Sequence, residues 1–180
     1  MSIIALVGMC GSGKSVAAEY LTKNAYTGVH FGGLTMDILA ERGMQITPEN
    51  EKTVREELRR EHGMGAFAIK SIETIRRYAA QSNKVFIDGL YSWDEYKILA
   101  DEFGSSIKLV YIAVNKKIRY ERLSKREPRR LSETEAMQRD IAEIENSAKG
   151  GPIAFADAVV LNNGSKEEFI AAFADVIEQI

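Results

Sequence analysis

The chain has 180 residues, of which 45% are hydrophobic and 28% charged, and 24 lysine and arginine residues stand against 26 aspartate and glutamate residues. This composition is that of a folded globular domain, and it excludes disordered, collagen-like and low-complexity proteins. The net charge of −2 gives no overall field that attracts nucleic acid or an anionic membrane. We therefore expect neither as a partner, and any anion site must come from local clustering of charge.

The apolar runs and the cysteine content bear on cellular location. The longest apolar run, Ile3–Val7, is far shorter than the ~20 residues of a membrane-spanning helix, and no basic segment precedes it as in a signal peptide. The single Cys10 forms no internal disulfide, and no cysteine and histidine residues have zinc-ligand spacing. We expect a cytoplasmic protein.

Short apolar segments alternate with longer helical patterns along the chain. Such segments are typical of buried parallel strands between covering helices. The predicted strands are Ile3–Val7, Gly28–Phe31, Lys84–Asp88, Ile107–Val114 and Ala158–Asn162. The sequence predicts an α/β fold with a five-stranded parallel sheet.

Several helices are marked by their first residues. Ser92, Ser132 and Ser165 each precede a glutamate by three positions, which is the pattern of a capping box. The polar segment Pro48–His62 has proline at the first helical position and is followed by Gly63, which predicts its end. Together with the next helix it forms a predicted hairpin, inserted before the third strand, that would close over a substrate.

The strongest motif is Gly-Met-Cys-Gly-Ser-Gly-Lys-Ser at Gly8–Ser15, which matches G-x-x-x-x-G-K-[ST] between an apolar strand and a helix. Its glycines let the backbone wrap around phosphates, so that several N–H groups and a helix N-terminus converge on the anion. Lys14 is predicted to reach the β- and γ-phosphates, and Ser15 to bind Mg²⁺. The predicted ATP-binding residues of this loop are Gly8, Met9, Cys10, Gly11, Ser12, Gly13, Lys14 and Ser15.

A second acidic residue completes the predicted metal site. Asp88 ends the apolar strand Lys84–Asp88, where a carboxylate beside a phosphate loop orients Mg²⁺ or its waters. The alternative is that Asp88 is an ordinary turn residue at a strand end. The phosphate loop favours the metal role.

Basic residues are concentrated in 116–130, where eight of fifteen residues are lysine or arginine. Arg119, Arg122 and Arg126 have the spacing i, i+3, i+7, so one helix face presents them, and Pro128 breaks this helix into a mobile segment. Such arginines are predicted to act catalytically by neutralising a transferring phosphoryl group. A solvated basic face and an RNA-binding patch are the alternatives, although a single tyrosine gives little base stacking.

Three further residues are candidates for binding the acceptor. Arg55 and Arg59 lie four residues apart on the hairpin and would hold an acceptor phosphate, with an ordinary charged helix face as the alternative. Tyr91, with Trp93, would stack on an acceptor base; alternatively Trp93 packs beneath its own helix.

Taken together, these motifs resemble the nucleoside-monophosphate-kinase-like branch of P-loop kinases, and within it small dephospho-CoA-kinase-related proteins. The segments that carry the resemblance are Gly8–Ser15, Thr47–Asn50, Val54–Gly63, Ile87–Gly89, the Arg119, Arg122 and Arg126 pattern, and Ala156–Ser165.

The resemblance implies a three-layer P-loop kinase fold over 1–180 with sheet order 2-3-1-4-5, a helical insert at about 34–65 and an arginine lid at about 119–140. It further implies that Asn162 and Gly164 face the adenine of ATP, that Mg²⁺ is the cofactor, and that a small nucleotide-like acceptor binds between insert and lid. The acceptor would be a nucleoside monophosphate or a dephospho-CoA-like molecule.

Two departures from the family pattern concern the acceptor. Nucleotide kinases commonly place an Asp and then an Arg after the second strand, and in segment 31–37, which ends in Asp37, neither charge is where the family has it. Leu90 and Tyr91 stand where an arginine is common. A phosphate acceptor needs positive clamps, whereas a hydroxyl acceptor benefits from a carboxylate base, and the sequence leaves both open. The departures motivate a second hypothesis, an ATP-binding switch with weak hydrolysis that acts through a protein or RNA partner.

Overall fold

The computed structural model describes residues 2–127 and 129–180, so Pro128, the predicted breaker of the lid helix, lies outside the described residues. The strands are β1 (Ser2–Val7), β2 (Thr27–His30), β3 (Lys84–Asp88), β4 (Ile107–Ala113) and β5 (Ala158–Leu161). The helices are α1 (Lys14–Lys23), α2 (Phe31–Glu41), α3 (Pro48–His62), α4 (Ala66–Gln81), α5 (Trp93–Phe103), α6 (Lys116–Lys125), α7 (Glu133–Glu145), α8 (Gly150–Ala154) and α9 (Lys166–Gln179).

The five strands form one parallel sheet in the order β2-β3-β1-β4-β5, which confirms the predicted fold and strand order. At the centre of the sheet, Ile3 of β1 lies opposite Val85 of β3 on one side and Ile107 of β4 on the other. Because all strands run the same way, their carboxyl ends meet at one edge. That edge carries the residues that follow β1 and the end of β3.

The sheet lies between two helical layers, and alternate residues of β1 enter different cores. Ile3 packs with α2, α3, α4 and α5, whereas Ile4 packs with α1 and α9. A strand that is buried on both faces must be apolar at every position, which explains the continuous apolar runs in the sequence.

The predicted helix starts are confirmed. Ser92, Ser132 and Ser165 each form a complete capping box at the start of α5, α7 and α9. At the start of α3 the hydroxyl of Thr47 accepts a hydrogen bond from the backbone N–H of Asn50 at 3.2 Å. These local signals are reliable because both partners lie within four residues of each other.

The structure shifts several predicted strand ends by one residue: β1 begins at Ser2, β2 begins at Thr27, and β4 ends at Ala113 instead of Val114. Phe31 was expected to end the second strand, but β2 ends at His30 and Phe31 begins α2, where it is buried in the core. The fifth strand ends at Leu161 because the buried Asn162 directs its side-chain amide to the backbone carbonyl of Ser12. Among the described residues, no helix is long and apolar enough to cross a membrane.

Candidate active site

The segment Gly8–Ser15, called the phosphate loop below, follows β1 and enters α1 at Lys14. Gly13 precedes that helix with φ at 101°, a left-handed conformation that strains any other residue. A Cβ at Gly13 would lie 2.3 Å from Nδ2 of Asn162. The loop backbone therefore turns closely over the start of α1, with room only for glycine.

The far side of the phosphate loop is held by the segment after β5. Nδ2 of Asn162 donates to the carbonyl of Ser12 at 2.8 Å, and Arg122 donates to Oδ1 of Asn162 at 3.2 Å and to the carbonyl of Gly164 at 3.4 Å. Asn162 is buried here and supports the loop. The predicted adenine contacts of Asn162 and Gly164 stay a prediction.

Lys14 folds back over the phosphate loop. Its Nζ donates to the carbonyls of Gly8 at 2.7 Å and Met9 at 3.1 Å. Burial, together with the nearby charge of Lys149, lowers the pKa of Lys14 to about 8, while Glu143 acts in the opposite direction. An anion entering the loop would stabilise the ammonium form, so the electrostatics of the loop favour a negatively charged ligand.

The phosphate loop opens into a cavity of about 910 Å³, called the loop cleft below. The basic residues that line it are Lys14, Arg55, Arg122, Arg126, Arg129, Arg130, Arg139 and Lys149. Three carboxylates line it as well, those of Glu51, Asp88 and Glu143. The chain as a whole is slightly acidic, so this cleft is a local concentration of positive charge suited to a polyanion.

Ser15 and Asp88, the predicted metal ligands, both line the loop cleft. Asp88 is half-buried, and its Oδ2 lies 3.5 Å from Nδ1 of His30. No group of three or more histidine, cysteine, aspartate or glutamate side chains among residues 2–127 and 129–180 would hold a metal by itself. One hydroxyl and one carboxylate suit Mg²⁺, which usually keeps several waters and shares its remaining coordination with substrate phosphates.

The three arginines of the predicted lid are not equivalent in the structure. Arg122 and Arg126 line the loop cleft, and Arg126 follows α6 in extended backbone. Arg119 is buried, with only 6% of its surface exposed, and its two Nη atoms donate to the two oxygens of Asp140 at 2.9 and 2.6 Å. The expectation of one arginine face is therefore wrong for Arg119, because α7 packs over α6 and brings a carboxylate against it.

Arg119 also contacts the phosphate loop, since its Nη1 donates to the carbonyl of Cys10 at 3.0 Å. Asp140 accepts a further bond from the hydroxyl of Tyr120 at 3.1 Å. Cys10 and Tyr120 belong to one small apolar core with Leu123 and Ala136. The start of α6 and the middle of α7 are thus tied to the loop by a buried ion pair and by packing.

A second cavity, of about 500 Å³, adjoins the loop cleft and is called the hairpin cleft below. The predicted acceptor residues Arg55, Arg59 and Tyr91 all line it, and Arg55 and Tyr91 line both clefts. Two polar atoms in its wall, Oγ1 of Thr35 and Nε of Arg59, are buried without a hydrogen-bond partner among the described residues. Buried polar groups are normally paired, so these two atoms are unusual in the wall of the cleft.

Sequence reasoning missed three residues: Arg139 and Glu143, which line both clefts, and Lys149, which lines the loop cleft beside them. Oε2 of Glu143 accepts hydrogen bonds from Nζ of Lys149 at 2.7 Å and from the backbone N–H of Cys10 at 3.3 Å. Its Oε1 accepts from Nε of Arg139 at 3.3 Å. The only signal in the sequence was the i, i+4 spacing of Arg139 and Glu143, which is equally typical of a surface ion pair.

Lys149 is the most unusual of these residues, because only 1% of its surface is exposed. Its Nζ lies 4.6 Å from the centre of the Tyr91 ring, and burial lowers its pKa. Burial, followed by the nearby charge of Asp88, raises the pKa of Tyr91 to about 12, so the phenol is neutral. A buried lysine with a lowered pKa beside a cleft marks a candidate functional position.

The fold and the phosphate loop define a P-loop protein with a kinase-like fold, and comparison with known proteins agrees. The chain matches the AAA domain family over residues 4–143, and it is 33% identical to a UPF0200 protein of Thermococcus kodakarensis over 99% of this chain and 97% of that one. The chain therefore belongs to the AAA domain family and to the UPF0200 family.

Solved structures share the fold at low sequence identity. A shikimate kinase from Bacteroides thetaiotaomicron superimposes with a TM-score of 0.62 at 16% identity, covering 98% of both chains. A dephospho-CoA kinase from Campylobacter jejuni gives a TM-score of 0.58 at 16% identity, covering 99% of this chain and 96% of that one. At this identity the likeness shows the fold alone.

Proposed function

We propose that the protein is a Mg²⁺-dependent phosphotransferase that moves the γ-phosphoryl group of ATP to a small nucleotide-like acceptor. One observation carries this proposal: the phosphate loop opens into a basic cleft that adjoins a second arginine-lined cleft. Two adjoining anion-binding cavities suit two substrates that exchange a phosphoryl group. A protein that only binds or hydrolyses ATP needs the first cavity alone.

The donor side rests on the phosphate loop. Its N–H groups and the N-terminus of α1 hold the ATP phosphates, and Lys14 leaves the carbonyls of Gly8 and Met9 to contact the β- and γ-phosphates. Ser15 and Asp88 hold Mg²⁺. The metal, when bound, neutralises charge on the phosphate oxygens.

The lid arginines have different roles in this proposal. Arg122 and Arg126 line the loop cleft and neutralise charge on the transferring group. Arg119 positions the phosphate loop instead of contacting the phosphoryl group, because it donates its hydrogen bonds to Asp140 and to the carbonyl of Cys10.

The acceptor occupies the hairpin cleft, where Arg55 and Arg59 bind its anionic group and Tyr91 contacts its body. We propose that 1–180 act as one kinase domain, with the insert at about 34–65 and the lid at about 119–140 closing over both substrates. Closure excludes water, which would otherwise hydrolyse ATP. The functional class we propose is the dephospho-CoA-kinase-related branch, whose sequence pattern the chain resembles.

The test measures ADP release from Mg²⁺-ATP by the purified protein, with and without each nucleoside monophosphate, deoxynucleoside monophosphate and dephospho-CoA. We expect one acceptor class to accelerate ADP release with equal formation of phosphorylated acceptor. The variant Lys14→Ala should abolish turnover, whereas Lys23→Ala, an exposed lysine on the same helix, should leave it unchanged. ADP release that only a macromolecule accelerates would contradict the proposal and favour the switch hypothesis.

A further inference from the structure

The junction between the two clefts contains two carboxylates. Glu51 and Glu143 each line both cavities. Phosphoryl transfer must take place at this junction, since only there do the ligands of the two clefts meet. A negative charge at that point repels a phosphate acceptor and the γ-phosphoryl group alike, so its presence requires an explanation.

The two carboxylates differ in how they are held. Glu51 pairs with arginines on both oxygens, with Arg55 at 3.2 Å and with Arg129 at 3.5 Å. Glu143 lies against the phosphate loop, where its Oε2 accepts from Cys10 and Lys149. Within residues 2–127 and 129–180, its Oε1 accepts only from the half-exposed Arg139. Oε1 of Glu143 accepts one hydrogen bond, from Nε of Arg139, so it keeps the capacity to accept another beside the phosphate loop.

Other acidic side chains near the clefts are placed differently. The helix α2 contributes Phe31, Gly32, Thr35 and Met36 to the hairpin cleft, whereas its acidic residues are exposed and line neither cavity. Asp88 lies in the loop cleft beside Ser15 and serves the metal in the proposed function. Glu143 alone combines a position at the junction with contact to the phosphate loop.

We propose that Glu143 is the catalytic base of the transfer and that the acceptor nucleophile is a hydroxyl group. This inference rests on the proposed phosphotransferase function. The acceptor O–H bond breaks and its proton passes to Oε1 of Glu143, while the acceptor oxygen forms a bond to the γ-phosphorus. The bond between that phosphorus and the β,γ-bridging oxygen breaks, ADP leaves with the electron pair, and Glu143 later releases the proton to water.

The surroundings of Glu143 suit this role. Nζ of Lys149 lies 2.7 Å from Oε2 of Glu143 and holds the carboxylate in place beside the phosphate loop. The residue before Lys149, Ala148, has φ at 48°, a left-handed conformation that costs free energy for alanine. Strain beside a buried charge is typical of functional sites. The titratable and charged groups that face Glu143 are Lys149, Arg139, Lys14, Tyr91 and Cys10.

The test uses the isosteric variant Glu143→Gln, whose amide oxygen still accepts hydrogen bonds from Lys149 and Cys10. We expect kcat to fall by about 10²- to 10⁴-fold, the range typical of a general base, with the dissociation constant of ATP changed less than threefold. Glu145→Gln, the same change at an exposed position of the same helix, is the matched control and should keep the wild-type rate. Wild-type product, analysed by phosphorus NMR, should be a phosphate ester on a carbon-bound oxygen.

Three results would overturn the role of Glu143 while leaving the phosphotransferase intact: a phosphoanhydride product, a loss of kcat smaller than 100-fold, or a loss that parallels weaker ATP binding. If none of the nucleotides or dephospho-CoA is phosphorylated, the same test is made on ATP hydrolysis, in which water is the nucleophile. Glu143→Gln should then slow hydrolysis at least tenfold, and an unchanged rate overturns the proposal. Wild-type protein that forms no ADP under any condition refutes both proposals.

Discussion

The buried ion pair between Arg119 and Asp140 makes the sharpest stability prediction. The pair joins α6 to α7 through two hydrogen bonds of 2.9 and 2.6 Å, and Arg119 extends the connection to the carbonyl of Cys10 in the phosphate loop. The variant Asp140→Asn keeps the size of the side chain but removes its charge. The guanidinium of Arg119 then stays buried without a counter-charge.

The expected loss follows from that uncompensated charge. Breaking a buried ion pair by removing one partner typically costs about 3–5 kcal/mol, because the remaining charge keeps its desolvation penalty. Asparagine still accepts one hydrogen bond, so we expect about 3 kcal/mol for Asp140→Asn, the lower end of this range. Replacing both partners, as in Arg119→Met with Asp140→Leu, removes the buried charges together and should restore most of the stability.

Urea unfolding monitored by circular dichroism measures these differences. The matched control is Glu102→Gln. This change breaks an ion pair of similar length, 2.7 Å, between Arg76 on α4 and Glu102 on α5. Arg76 is half exposed. Solvent screens that pair, so the control should change stability several-fold less than Asp140→Asn.

The ATP titration of the same variants tests the connection to the phosphate loop. Asp140→Asn should weaken ATP binding under conditions where the protein is still folded, because Arg119 no longer fixes the carbonyl of Cys10. Equal stability losses for Asp140→Asn and Glu102→Gln would refute the electrostatic reasoning. Unchanged ATP affinity in a destabilised Asp140→Asn protein would refute the role of the pair in positioning the loop.

Two further predictions concern a buried acid and a loop glycine. Burial raises the pKa of Glu95 to about 7 in the folded protein, whereas the carboxyl ionises near 4.5 in the unfolded chain. The folded state therefore binds the proton more tightly. The free energy of unfolding should fall by an amount on the order of 3 kcal/mol as the pH rises from about 4.5 to about 7. Glu95→Gln should flatten that slope in urea unfolding at a series of pH values, and an unaltered slope would contradict the assignment. Gly13→Ala, whose Cβ would collide with Asn162, should weaken ATP binding at least tenfold. Gly104→Ala, strained at φ 54° in open space, should lower stability without changing ATP affinity.

The fold was predictable because its determinants are local in the sequence. Wholly apolar strands indicate a sheet covered on both faces, and each capping box is complete within four residues. The phosphate loop is likewise contiguous, so its eight residues carry the prediction by themselves. The same reasoning failed at Phe31, because only tertiary packing decides whether a buried aromatic ends a strand or begins a helix.

The junction of the clefts was not predictable, since its contacts join distant parts of the chain. Cys10 and Glu143 lie 133 positions apart, and Arg119 and Asp140 lie 21 apart. The spacing of apolar residues on α7 even indicates that another face of the helix is the buried one. Its apolar residues at i, i+4 and i+7, namely Met137, Ile141 and Ile144, are exposed, whereas Asp140 is buried. A helix that buries an ion pair has no periodic apolar signal for that face.

The most direct test of the proposed phosphoryl transfer follows the γ-phosphoryl group itself. Purified protein is incubated with Mg²⁺ and ATP labelled in the γ-phosphate, together with the acceptor that most accelerates ADP release. If no acceptor accelerates ADP release, each of the assayed nucleotides and dephospho-CoA is used in turn. We expect the label to move to the acceptor in equal amount to the ADP formed, and Lys14→Ala to abolish this transfer. Label that appears only as inorganic phosphate, whichever acceptor is present, would contradict it.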